Sequence, residues 1–163
     1  MKQVNSIYDN SLYVYGEKTA VSEWISDNTD ITIAFPHFEL DMNASCPVPD
    51  EIPDERVWGC RYRGTVDVLQ INDDGKTAVL YFETGESIPL IYDCDVDRLW
   101  SRSGWLDAVA KKYPHLSFSL NAHSYDDDCV IELEFENGEL KDGWVHSAEQ
   151  GNLTRDDRFI LGD

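Results

Sequence analysis

Positive charge is scarce in this chain: 13 Lys and Arg stand against 32 Asp and Glu, a formal net charge of −19 over 163 residues. Such a surface repels phosphates and anionic lipids and attracts basic partners, which argues against direct nucleic-acid binding and against electrostatic attachment to a membrane. Long apolar runs are lacking too. The longest, Ala78-Val-Leu-Tyr-Phe82, falls far short of the ~20 residues that a membrane helix needs. Cys46, Cys60, Cys94 and Cys129 are widely spread without a CxxC pair, and the opening MKQVNSIYDN has no apolar leader core. Reduced thiols in the host cell cytoplasm are the expectation. Nucleophile elbows, phosphate-binding glycine loops and dinucleotide fingerprints are absent as well, so no catalytic residue is assigned and no cofactor is expected.

What is there is material for a core. The hydrophobic fraction is 42%, with 5 Trp, 8 Tyr and 6 Phe, which separates the chain from disordered acidic sequences. A chain of this length can bury about 70% of the surface it exposes when unfolded. Leu12-Tyr-Val-Tyr15 reads as a strand closed by Gly16, and Ala20, Val21, Trp24 and Ile25 recur at helical spacing. A second strand covers 31–35. Pro47, Pro49 and Pro53 mark 41–54 as a long loop, whose acids Asp41, Asp50, Glu51 and Asp54 make it a candidate contact segment. Extended chain is expected over 57–62, then a hairpin of 65–71 and 77–83 about the turn Asn72-Asp-Asp-Gly75. Trp105, Leu106, Val109, Ala110 and Tyr113 form the apolar stripe of a second helix, with Ser103 as N-cap and Pro114 as its stop.

A strand over 116–123 and a turn at 125–128 precede the most regular segment of the chain. There Ile131, Leu133 and Phe135 alternate with Glu132, Glu134 and Glu136, one face for a core and one for water. Asn137-Gly138 is a two-residue hairpin signal into 139–146. In an unbroken register Lys141 lies opposite Glu134, and Leu140 and Trp144 join the core face. Tyr13, Tyr15 and Trp58 are also expected mainly in the core. The order of elements suggests a ferredoxin-like antiparallel sheet with two helices packed on one face, an α+β domain over 1–146. Residues 147–163 form a polar tail in which Phe159-Ile-Leu161 can dock.

Several stretches resemble the YubB ferredoxin-like family of phage and plasmid proteins. Asn10-Ser-Leu-Tyr-Val-Tyr-Gly16 is similar to that family's N-terminal strand and glycine, and Trp58-Gly-Cys-Arg-Tyr-Arg-Gly-Thr-Val-Asp67 to its aromatic stretch around a Gly-Thr pair. Leu80-Tyr-Phe-Glu-Thr84 and Trp105-Leu-Asp-Ala-Val-Ala-Lys-Lys-Tyr-Pro114 resemble its Phe-x-Thr strand and the helix ending in Tyr-Pro. Gly85-Glu-Ser-Ile-Pro89 stands where the family tends to have Trp-x-Pro-Pro, and the acidic turn at 125–128 where it has Glu-x-Gly. The resemblance implies a fold and a mobile-element setting, and no particular reaction.

Asp93-x-Asp95-x-Asp97 has the first ligand spacings of a calcium loop, but Arg98 takes the place of its glycine and Gly104 that of its closing Glu. A metal-binding regulator or metal-dependent enzyme built on Asp93, Asp95 and Asp97 is the competing reading. Asp126-Asp-Asp128 reads as a solvated turn, and His37, His115, His123 and His146 lack zinc spacing. A third reading takes the acidity as serving solubility alone.

The acidic strand is the most informative feature. Its glutamates recur about 7 Å apart, since a strand rises ~3.4 Å per residue, while DNA carries a charge every ~3.4 Å along each strand. One row is thus a sparse imitation of a phosphate backbone. Between Asp126 and Asp142 it has support: Asp126, Asp127, Asp128, Glu132, Glu134, Glu136, Glu139 and Asp142 face a single cation, Lys141. The leading expectation is a non-enzymatic accessory protein of a phage or plasmid, DNA-mimic-like, that binds a basic, nucleic-acid-binding host protein. An anti-CRISPR or anti-restriction inhibitor fits it, with Glu132, Glu134, Glu136, Asp126, Asp127 and Asp128 as contacts.

Overall fold

The computed structural model describes residues 7–34, 37–63, 67–85, 87–90, 92–93, 99–100, 104–124, 129–147, 154–158 and 160–161. Strand β1 (Ile7–Tyr15) runs through the middle of a large antiparallel sheet, paired with β6 (Thr77–Gly85) on one side and β9 (Ser117–Ser124) on the other. Its side chains alternate between two environments. Tyr8, Asn10, Leu12 and Val14 are buried on one face, and Ser11, Tyr13 and Tyr15 turn to the other.

Beyond β6 come β5 (Val68–Ile71), β3 (His37–Leu40) and β2 (Thr29–Ala34), while β4 (Arg61–Tyr62) pairs with the end of β6. Beyond β9 come β10 (Cys129–Glu136), β11 (Glu139–Ser147) and β12 (Thr154–Arg158). The order is therefore β12-β11-β10-β9-β1-β6-β5-β3-β2. A small separate sheet joins β7 (Tyr92–Asp93), β8 (Leu99–Trp100) and β13 (Ile160–Leu161), with β13 parallel to β8. The expected α+β class with a mostly antiparallel sheet is what the chain adopts. The sheet is longer than the four strands of a ferredoxin-like layer because β10, β11 and β12 extend one edge and β2 and β3 the other. Part of the expected tail is thus built in as β12 and β13.

Helices α1 (Lys18–Asn28) and α3 (Trp105–Lys112) cover one face only. Val21, Trp24 and Ile25 of α1 and Trp105, Leu106, Val109 and Ala110 of α3 are buried against the sheet, at the spacing of a helical stripe. Aromatic rings fill the space between. Trp24 meets Trp105 edge-on at 6.5 Å between centroids and Phe118 of β9 at 5.9 Å, and Trp105 meets Phe82 of β6 at 6.5 Å. Trp58 joins this core as expected. Its indole donates to Cys46 O at 2.7 Å, which ties down the long loop.

Two local expectations change. The segment expected to be extended over 57–62 begins with the end of a one-turn helix, α2 (Asp54–Val57), and only Arg61–Tyr62 is strand. Asp54 and Glu55 in the first turn and Arg56 in the last complement the helix dipole, which favours the turn. The N-cap of α3 is Gly104, at φ 115°, and not Ser103. The first amides of the helix go to carbonyls instead of a side chain: Trp105 N donates to Trp58 O at 3.0 Å and Leu106 N to Pro89 O at 2.9 Å.

Buried polar residues lock the elements together. Asn28, at the end of α1, donates to Trp24 O at 3.0 Å and to the Tyr113 hydroxyl at 3.2 Å, and accepts from Ser45 Oγ. That hydroxyl donates in turn to Asp27 Oδ2 at 2.9 Å. Asn10 donates to Thr84 Oγ1 at 2.9 Å, and Thr84 to Ser87 O at 2.7 Å.

The β10–β11 hairpin has the expected Asn137-Gly138 turn, with both residues at positive φ, 55° and 80°. Its register is not the expected one. Phe135 pairs with Leu140, but a shift between Glu134 and Phe135 places Glu134 opposite Asp142 and makes Lys141 the extra residue of a bulge. Each later residue of β11 is thereby moved to the other face, and Trp144 lies opposite Glu132 on the helix-free side.

The ring cluster gives a first prediction. Trp24 is fully buried and its indole nitrogen has no partner, so Trp24→Ala is expected to cost about 3–5 kcal/mol. Trp24→Phe should recover most of that, because it keeps a ring and removes a buried donor. Urea midpoints at constant m-value measure both; a Phe variant as unstable as the Ala variant would show that the indole is needed for more than filling space.

Candidate functional site

Four strands build a trench on the helix-free face. Ser117, Ser119 and Asn121 of β9 alternate with the buried Phe118, Leu120 and Ala122, so small polar side chains form its floor. Tyr13 and Tyr15 of β1 stand along one side, stacked at 6.1 Å and 7° between planes. Glu132 and Glu134 of β10, with Asp142 and Trp144 of β11, stand along the other. Across the strands the rows read Tyr13, Ser119, Glu134, Asp142 and, next to it, Ser11, Asn121, Glu132, Trp144. Tyr13, Tyr15, Ser119, Asn121 and the four residues of β10 and β11 line a recess of about 240 Å³.

Carboxylates predominate here, and the β11–β12 register puts Arg158 across from Trp144. Asn121 Nδ2 lies 3.5 Å from Glu132 Oε1. Glu134 and Asp142 sit directly across from each other, an arrangement that like charges disfavour. Lys141 Nζ lies beyond them, 2.6 Å from Glu136 Oε2 at the hairpin end. Its pKa is raised, first by that hydrogen bond and by the Glu136 charge, with Glu134 and Asp142 adding. The Tyr15 hydroxyl is pushed up by burial first, then by Tyr13 and Glu134.

Of the residues expected to make contact, Glu132 and Glu134 come together in the trench. Glu136 lies on the same strand face but at the lysine-paired end. Asp126, Asp127 and Asp128 fall outside the described residues. Trp144, Tyr13 and Tyr15, expected in the core, stand instead on this face: Trp144 because of the bulge, and Tyr13 and Tyr15, the latter 39% exposed, because they have the opposite parity to Leu12 and Val14. Asp142, Ser119 and Asn121 were not expected as site residues. The alternation of β9 carried that signal for the last two.

Asp93 lies in β7, while Asp95 and Asp97 of the expected calcium-type spacing fall outside the described residues. Among the described residues no group of three or more His, Cys, Asp or Glu side chains is placed to hold a metal. Nor is any helix among them long and apolar enough to cross a membrane. The Cys46 thiol is pushed up by burial and then by Asp107, the opposite of an activated nucleophile.

A second cluster lies near the opposite edge of the sheet. Asp67 is only 5% exposed; its Oδ2 accepts from the Tyr62 hydroxyl and its Oδ1 has no partner. Leu40 N donates to the same hydroxyl at 2.9 Å, and His37 Nδ1 lies 3.3 Å from Asp67 O. Burial raises the Asp67 pKa, the Tyr62 hydrogen bond opposes, and Glu83 and Glu39 add to the rise. A carboxyl raised in the folded state contributes its full stability below its ordinary pKa and loses it as pH climbs through the raised value. The advantage of Asp67→Asn over the natural protein in Tm should therefore grow from pH 4 to pH 7. A constant difference across that range would contradict the assignment.

No family model matches the chain, and no curated protein and no solved structure matches it either.

Proposed function

We propose that this protein is a non-enzymatic accessory protein of a phage or plasmid that lays the helix-free face of its sheet on a basic, nucleic-acid-binding host protein and blocks it. It would act in the host cytoplasm as an anti-CRISPR or anti-restriction inhibitor. The observation that carries this reading is the gathering of Glu132, Glu134 and Asp142 on a sheet face that neither principal helix covers, in a chain with a net charge of −19. Carboxylates held by paired strands compete for Lys and Arg side chains that otherwise hold phosphates, with little ordering cost on binding. Residues 125–128 lead into β10 and lengthen the acidic stretch.

The finer fold reading belongs to the same proposal. β9-β1-β6-β5, with α1 between β1 and β5 and α3 between β6 and β9, has the order of a ferredoxin-like βαββαβ unit. We take this as the ancestral core, in keeping with the resemblance to the YubB family, and the remaining strands as extensions that widen the acidic face.

Affinity capture from host lysate tests the proposal at two salt concentrations. Between about 0.1 M and 1 M the Debye length falls from ~10 Å to ~3 Å, so a nucleic-acid-binding protein retained at low salt should be lost at high salt. It should also be lost, at low salt, from the double variant Glu132→Lys, Glu134→Lys. Retention that ignores both salt and charge reversal would sink the reading.

A further inference from the structure

A recess of about 540 Å³ lies on the helix side of the sheet, between α1 and the turn that joins β5 to β6. We infer that it binds a small amphipathic monocarboxylate, such as a medium-chain fatty acid, with the carboxylate at Lys18 and the apolar body over Val21, Ile25 and Ile71. This goes beyond the proposed docking of the acidic face and rests on none of its residues.

Two sequence patterns build the walls. Along α1, Val21 and Ile25 are buried, while Lys18, Ser22 and Ser26 recur four residues apart in a row beside them. Along β5, Ile71 has the parity of the buried Leu69 and so faces the helix side, yet it is 44% exposed. An apolar floor is thus left partly open under a row of polar groups. The volume falls within the ~300–1,000 Å³ of small-ligand sites, which pair an apolar lining with a few converging polar groups. Those groups are free for a ligand here: Lys18, Ser22 and Ser26 make no ion pair or side-chain hydrogen bond among the described residues. Gly75 steadies the lysine. It sits at φ 72° in the hairpin turn, and a Cβ there would lie 2.8 Å from Lys18 Cγ, so the bare backbone is the bed on which the lysine stem rests.

Charge runs one way along the recess. Lys18 stands in the first turn of α1, where the positive end of the helix dipole adds to its own charge, and Thr29 and Asp30 follow the negative end. At ~1.5 Å per residue the two ends are roughly 16 Å apart. One carboxylate is therefore accommodated at Lys18, whereas the second of a diacid would meet Asp30. Asp73 and Asp74 of the turn line a separate recess that shares Ile71, and Asp74 Oδ1 accepts from Lys76 N at 2.9 Å. A chain of net charge −19 repels anions at a distance, so burial of the apolar body has to supply most of the affinity. Each fully buried methylene then adds up to about fourfold.

Titrations of the full chain with octanoate, hexanoate and octan-1-ol at neutral pH, followed by amide chemical shifts, test the assignment. Octanoate should give saturable shifts centred on 18–30 and 71–75. Hexanoate should bind up to about sixteenfold more weakly, and octanol about fivefold more weakly, the size of effect expected of one exposed ion pair. Lys18→Met keeps the stem and removes the charge, so it should bring octanoate down to the octanol affinity or below. Ser22→Phe, at an exposed helical position, should fill the recess and abolish binding of all three. Octanoate shifts that are absent, that centre elsewhere, or that survive Ser22→Phe in folded protein overturn the site. Equal affinities for octanoate and hexanoate, or for octanoate and octanol, or a preference for octanoate that persists in Lys18→Met, overturn the ligand class. The acidic-face reading is untouched by any of these results and is decided by the capture experiment alone.

Discussion

Pairing of β1 along both its edges is the constraint from which the rest of the molecule follows. A strand hydrogen-bonded on two sides cannot rotate about its axis, so the parity of its residues decides the role of each face for β6, β9 and everything attached to them. Leu12 and Val14 pull one face into the core, where Trp24, Trp105, Phe82 and Phe118 interlock. Tyr13 and Tyr15 are thereby sent to the other. With α1 and α3 both committed to the even face, neither principal helix packs over the odd one.

Acidity of −19 is a burden on a compact chain, because like charges repel more when they are brought together. Among the described residues only two carboxylates, Asp67 and Asp107, are buried. Asp107 is buried but pairs with Lys111 at 3.0 Å one helical turn on. Asp67 has no such cation and leans on Tyr62 instead, with Glu39 and Glu83 aggravating its position. A carboxyl in that setting weakens the protein as it ionises, which makes the Tyr62 hydrogen bond more than ornamental packing.

Much of this was legible in the residues. The alternation of Ile131, Leu133 and Phe135 with three glutamates, the Asn137-Gly138 turn, and the stripes of both principal helices are local signals, and each is formed where its pattern places it. The extent of the sheet was not legible, because whether β2 and β3 or β12 add to an edge depends on partners far away in sequence. Capping of α3 was hidden for the same reason: its first amides are answered by Trp58 and Pro89, and no local pattern announces a carbonyl that arrives from another loop. The floor of the trench was half visible. Ser117, Ser119 and Asn121 alternate with apolar residues as plainly as the glutamates do, but small polar side chains gain meaning only beside the taller ones of neighbouring strands.

Lys141 shows how one residue can divide what a sequence says from what a structure does. Read without interruption, 139–146 places Trp144 in the core with Leu140 and leaves Lys141 to neutralise Glu134. The bulge takes Lys141 out of the ladder and turns it to Glu136 instead. Asp142 then occupies the place across from Glu134, so a cation is replaced by a second carboxylate, and the following residues change face. Gly143, now on the buried side, has no side chain to pack there, while Trp144 swings outward to become a wall. The half-buried Trp144 thus stands on the same face as the facing carboxylates, with Arg158 of β12 across from it in the ladder. One register shift between Glu134 and Phe135 therefore sets which side chains of β11 stand above the small side chains of β9 and which turn to the core.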